Sequence, residues 1–192
     1  MELKNSKTAQ NLLKAFAGES QARNRYETAA KIAQKEGFQY VANIFKETAA
    51  NEKEHANLFY KHLSILAPSA IEITASYPVI HGDTIAQLTA AYKGENEEWT
   101  TLYPEFANIA KEEGFNSVAR TFEGIAKIEK EHELRFYHLL DNVVNNKLFT
   151  KDEKSLWRCL ECGHVHDGTS APKACPVCSH PQAFFAPICR NL

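Results

Sequence analysis

The chain has 192 residues, 44% of them hydrophobic and 24% charged, with a formal net charge of −2, enough for one large or two small globular domains. That charge leaves no basic footprint for nucleic acid or an anionic membrane, and no apolar run approaches the roughly 20 residues that span a bilayer. The opening MELKNSKTAQNLLKAF has no uninterrupted apolar stretch and no small-residue cleavage site, so no secretion signal is read. All five cysteines fall in the last 34 residues, a clustering that suits metal ligation in a reducing cytoplasm better than a disulfide framework.

Residues 1 to about 147 are rich in Ala, Glu, Lys, Leu and Phe, and read as four helices. Leu12, Leu13, Phe16 and Ala17 set the apolar spacing of the first, which runs to Glu36 before Gly37 breaks it. The second spans about Gln39 to Leu66. The segment APSAIEITASYPVIHG is too long for a tight turn, and Asp83 or Thr84 then caps a third helix ending before Gly114. The fourth covers about Asn116 to Asn145. Two hairpins joined by one long crossover form the ferritin-like four-helix bundle topology. From Lys151 on, helical periodicity fades, so the domain division is set at 1–147 and 152–192.

An internal repeat links the hairpins. The stretch from Lys31 to Leu63 aligns without gaps on that from Asn108 to Leu140, and about half the positions are identical. Tyr26 maps onto Tyr103 with the same offset, whereas AFAGES maps onto AYKGEN with an offset one residue shorter. The third helix therefore carries one extra residue between Glu95 and Tyr103. Such insertions are absorbed as π-bulges, which favour functional sites, and Pro104 lies where a disturbed ladder tolerates a missing N–H.

The second helix carries Glu52 and His55, the fourth Glu129 and His132; in each, i and i+3 share a face. Glu19 and Glu95 stand at repeat-equivalent positions on the other two helices, and Glu98 follows Glu95 on the same face. One Glu-x-x-His on a charged helix is usually a solvated pair, as Glu54 and Glu131 are expected to be. The duplicated set in this helix order is instead the ferritin-like dinuclear pattern, two single glutamates and two Glu-x-x-His pairs. Five carboxylates in a bundle core cost several kcal/mol each unless neutralised, and two divalent or trivalent metals bring the site near neutrality. Carboxylate oxygen with imidazole suits iron or manganese.

The tail holds Cys159-x-x-Cys162 and Cys175-x-x-Cys178 with twelve residues between, the spacing of a tetrahedral four-sulfur metal site. Zinc would make it a structural staple and iron a one-electron carrier; about 40 residues hardly fold without either. Cys189 is read as a spare thiol. His164, His166 and His180 are left out, because four thiolates complete the tetrahedron. His62, His81 and His138 are read as surface or interface residues.

The motifs AFAGESQARNRY, NEKEH, GENEEWTTLYPEFA, IEKEH and the CLEC…CPVC knuckle, in this order, resemble the rubrerythrin family over essentially the whole chain. The resemblance implies a ferritin-like di-iron bundle, oxo- or hydroxo-bridged when oxidised, followed by a rubredoxin-like Fe(Cys)4 domain. It implies that Glu52 and Glu129 bridge, that Glu19 binds one iron, and that Glu95 and His132 bind the other. Glu98 would bind the first iron when oxidised and His55 when reduced. Ser179 replaces the glycine expected after the second cysteine pair, a change that bears on an N–H···S hydrogen bond. The implied activity is a peroxidase that reduces hydrogen peroxide to water. Its electrons would come from an external donor, rubredoxin or an NAD(P)H-dependent reductase, since this chain has no nucleotide-binding glycine motif. A homodimer with electron transfer between chains is implied as well. Tyr26 and Tyr103 are read as hydrogen-bond donors toward the site or as core packing. The alternatives are a ferroxidase or iron-handling protein, and a non-catalytic zinc-knuckle module.

Overall fold

The computed structural model describes residues 2–188; Cys189 lies outside them. Helices α1 (Lys7–Lys35) and α2 (Gln39–Leu63) form the first hairpin. The second pairs α5 (Asn116–Val144) with a rod made of α3 (Thr84–Glu97), a π turn (Glu98–Leu102) and α4 (Tyr103–Glu112). Ser6 caps α1 by accepting from the Ala9 N–H, and Asp83 caps α3 by accepting from Ala86. Gly37 and Gly114 take φ of +84° and +88° at the two hairpin turns, where a glycine avoids the Cβ penalty. The second helix stops at Leu63 rather than Leu66. Ser64 Oγ donates to the Lys61 carbonyl there, and a 3-10 turn leads into Pro68, which disfavours helical geometry before it.

The expected π-bulge is present: the Tyr103 N–H reaches back five residues to the Glu98 carbonyl, and Pro104 follows at once. The extra residue is thus accommodated inside the rod without shifting Tyr103 off its face.

Apolar burial comes in two clusters. One gathers Tyr26, Phe45, Leu88 and Phe136, the other Leu12, Phe59, Tyr103 and Phe122. On every rod the glutamates fall between the two. In α5, for example, Phe122 and Ile125 precede Glu129 and His132, and Phe136 and Leu139 follow them. The bundle therefore buries a charged layer between two greasy plugs that exclude water from both ends.

The tail forms a sheet in the order β2-β1-β3, from β1 (Thr150–Cys159), β2 (Val165–Ser170) and β3 (Phe185–Pro187). Trp157 and Phe185 are fully buried beneath it, and the Trp157 indole N–H donates to the Gly168 carbonyl at 2.9 Å. Phe149 stacks on Phe38 at the α1–α2 turn. No helix among the described residues is long and apolar enough to cross a membrane.

Candidate metal centres

Two groups of ligand atoms converge in the charged layer. Glu19, Glu52, His55 and Glu129 make one, and Glu52, Glu95, Glu129 and His132 the other, each within 4.8 Å of one another. All six residues are buried. Glu52 and Glu129 belong to both groups. His55 Nδ1 lies 3.0 Å from Glu52 Oε2 and 2.8 Å from Glu129 Oε1, while His132 Nδ1 lies 3.2 Å from Glu52 Oε1 and 2.7 Å from Glu129 Oε2. Each of these two carboxylates thus turns one oxygen to each side.

Many of these close approaches are not hydrogen bonds. His132 Nδ1, both Glu129 oxygens, Glu19 Oε2, Glu52 Oε1 and Glu95 Oε2 are buried without a hydrogen-bond partner. Buried polar atoms left this way cost about 1–3 kcal/mol each, and acceptor lone pairs aimed at a common point fit a pair of cations.

The tyrosines cross between hairpins. Tyr26 on α1 donates to Glu95 on α3 at 2.5 Å, and Tyr103 on α4 donates to Glu19 on α1. Burial, then the charge of the facing glutamate, pushes both phenols well above their ordinary range, so they stay neutral donors.

Glu98 stands apart. It belongs to neither group and is partly exposed on the π turn, where it lines a cavity. Burial of its carboxyl, then the charges of Glu95, Glu129 and Glu52, push its pKa well up, while Arg25 acts in the opposite direction. Glu54 and Glu131 are exposed, as expected. A contact not foreseen holds the π turn. Glu133 accepts from Asn96 Nδ2 at 2.9 Å and from Trp99 Nε1 at 2.5 Å, and Lys130 sits 5.2 Å over the Trp99 ring. The insertion located the π turn, but no spacing rule connects it to Glu133 on another helix.

The four sulfurs also converge within 4.8 Å. Cys159 and Cys178 approach to 3.7 Å and Cys162 and Cys175 to 3.6 Å, near the edge of about 3.8 Å that metal–sulfur bonds of about 2.3 Å give a tetrahedron. The two knuckles match. Each first cysteine donates its N–H to the carbonyl of His164 or His180 at 2.8 Å. Gly163 and Ser179 both take positive φ, +79° and +61°, and return their N–H to the carbonyl of that first cysteine. Ser179 therefore adopts the glycine conformation, and the His180 N–H reaches the Cys178 sulfur as the His164 N–H reaches Cys162. The substitution leaves that hydrogen bond in place. His164, His166 and His180 remain outside the four-sulfur group.

Four helical rods around a buried carboxylate–histidine layer, followed by a four-cysteine knuckle, define a ferritin-like di-iron carboxylate protein with a rubredoxin-like iron site. The family model Rubrerythrin matches residues 10–140, and that of the rubrerythrin rubredoxin-like domain matches residues 157–186. Rubrerythrin-1 of Clostridium acetobutylicum is 56% identical over 191 residues, covering 98% of both chains. Rubrerythrin of Porphyromonas gingivalis is 51% identical over 98% of this chain and 94% of its own. The chain belongs to the rubrerythrin family. Among solved structures, nigerythrin in its fully reduced, all-ferrous state superposes with a TM-score of 0.64 at 28% identity, covering 96% of this chain and 90% of that one. The bacterioferritin of Desulfovibrio desulfuricans, at 22% identity and a TM-score of 0.66, shares the fold.

The metal-free layer is crowded with protons. Burial, then Glu52, raises Glu95 to about 8, and burial, then Glu52 and Glu129, pushes Glu19 well above the ordinary carboxylate range. Against burial, the carboxylates of Glu129 and Glu52 lift His55 to about 9 and His132 to about 12. Burial opposes ionisation of Glu52, yet the imidazoles of His132 and His55 facing it hold it at about 2. Groups with raised pKa stabilise the fold while protonated, and that stability is lost as pH rises through the folded values. The metal-free protein is therefore expected to lose thermal stability progressively from about pH 5 toward about pH 12, the folded value of His132. Metal binding must displace these protons, so uptake releases acid and weakens as pH falls. Cobalt(II) titration in weak buffer with a pH indicator checks this; uptake without proton release would contradict it.

Proposed function

We propose that the chain is a peroxidase that reduces hydrogen peroxide to water in defence against oxidative stress. Glu52 and Glu129 would bridge two irons. Glu19 and His55 complete the first position, and Glu95 and His132 the second. Two ferrous ions held there would supply the two electrons that cleave the O–O bond of peroxide, so that no hydroxyl radical is released. Tyr26 and Tyr103 keep their protons and fix which oxygens of Glu95 and Glu19 face inward. The knuckle would return electrons one at a time from an external donor, rubredoxin or an NAD(P)H-dependent reductase. A second copy of the chain is the natural place for that knuckle to dock.

The observation that carries this reading is Glu98. It has no counterpart on the first hairpin, it sits on a π turn that lets the backbone give, and it faces a cavity while His55 occupies the ligand group. An anionic carboxylate can replace a neutral imidazole when the metals gain positive charge. A symmetric iron store has no use for that exchange. Stopped-flow mixing of the fully reduced protein with peroxide, and separately with dioxygen, tests the reading; faster oxidation by dioxygen would favour a ferroxidase. His55→Ala is expected to slow peroxide turnover about 10–100-fold while iron content holds. Unchanged turnover would make His55 a spectator.

A further inference from the structure

The crossover between α2 and α3 does more than join the hairpins. Residues 74–78 lie as a strap over a cavity of about 410 Å³ between α1 and the α3–α4 rod. Glu98 and Tyr103 line its inner end, and Lys14, Arg25 and Glu105 stand among its charged lining residues. The cavity therefore reaches the same glutamate that stands beside the ligand groups. Tyr77 belongs to the strap and donates its hydroxyl to the Lys14 carbonyl at 2.8 Å, fastening the strap to α1.

Two glycines line this cavity. Gly18 and Gly94 are equivalent in the internal repeat, and each immediately precedes a buried glutamate, Glu19 or Glu95. Glycine inside a helix costs about 1 kcal/mol relative to alanine. Neither position needs glycine to avoid a clash. A Cβ at Gly94 would meet nothing within 4 Å, and one at Gly18 would meet only Tyr77 Cε1 at 3.6 Å. What both omit is side-chain volume in the cavity.

Resting on the peroxidase reading, we infer that this cavity is the passage by which hydroperoxide reaches the iron site, and that Tyr77 limits the size of hydroperoxide admitted. Gly18 and Gly94 keep its floor open. Lys14, Arg25 and Glu105 in the lining can hydrogen-bond a small polar molecule, and the tyrosine ring beside Gly18 narrows the way for an alkyl group.

The test uses the full-length, iron-loaded ferric protein and azide, whose binding is followed by its charge-transfer absorption. Gly94→Leu introduces a better helix former at an unobstructed position and should leave folding and iron content intact. It is expected to slow azide association about tenfold, and Tyr77→Ala to raise the kcat/KM ratio of tert-butyl hydroperoxide to hydrogen peroxide about tenfold. An unchanged azide rate in Gly94→Leu overturns the passage, whatever the peroxide activity. An unchanged ratio in Tyr77→Ala overturns the role of Tyr77. A slowed azide rate in a protein that does not turn over peroxide upholds the passage and removes the peroxidase reading and the hydroperoxide with it.

Discussion

Glu129→Ala is expected to abolish binding of both irons, whereas Glu95→Ala should abolish binding of one. The reason is the sharing of ligand atoms: Glu129 turns an oxygen to each side of the layer, and Glu95 belongs to a single group. Loss of both metals should reduce peroxide turnover by on the order of 10³-fold or more, the scale associated with removing charge stabilisation at a reacting centre. Iron analysis of both variants checks this. A Glu129→Ala protein that keeps two irons would contradict the assignment of Glu129 as a bridge.

Removing the knuckle metal should have an equally large but local effect. The sheet β2-β1-β3 covers a core of Trp157, Phe185 and Ala171 with the cysteines themselves, too little apolar area to hold about 40 residues together. Metal binding to such sites is worth about 10–16 kcal/mol for structural zinc. Cys175→Ser is therefore expected to unfold this sheet while the helices persist. The chain's two tryptophans report separately, because Trp99 is bonded to Glu133 in the bundle and Trp157 to the Gly168 carbonyl in the knuckle. The Trp157 indole N–H resonance should collapse to its solvent-exposed position and that of Trp99 should stay. Movement of both would mean that the bundle depends on the knuckle.

Much of this architecture is legible along the chain because it depends on short periodicities. The Glu52–His55 and Glu129–His132 pairs share a helix face at i and i+3, and the flanking Phe45, Phe59, Phe122 and Phe136 fall at helical spacing around them. The alignment of AFAGES with AYKGEN located the π turn to within a few residues, since an added residue in a rod with fixed ends must be absorbed somewhere. Each CxxC encodes its own knuckle. The end of α2 was less legible, because local capping at Ser64 and the approach to Pro68 stop the helix inside an otherwise periodic run.

Other features depend on how the rods rotate and lie against one another, which no single segment encodes. The crosswise pairs Tyr26–Glu95 and Tyr103–Glu19 join residues 69 and 84 positions apart. The clamp of Asn96 and Trp99 on Glu133 is of the same kind. So is the placing of Tyr77 over Gly18, which needs the crossover to fold back across α1. Glu98 is the clearest case. Its spacing from Glu95 puts it on the ligand face, and only the packed rods show that it lines a cavity beside the two ligand groups. Residue order determines which groups share a face; the contacts between faces determine which of them meet.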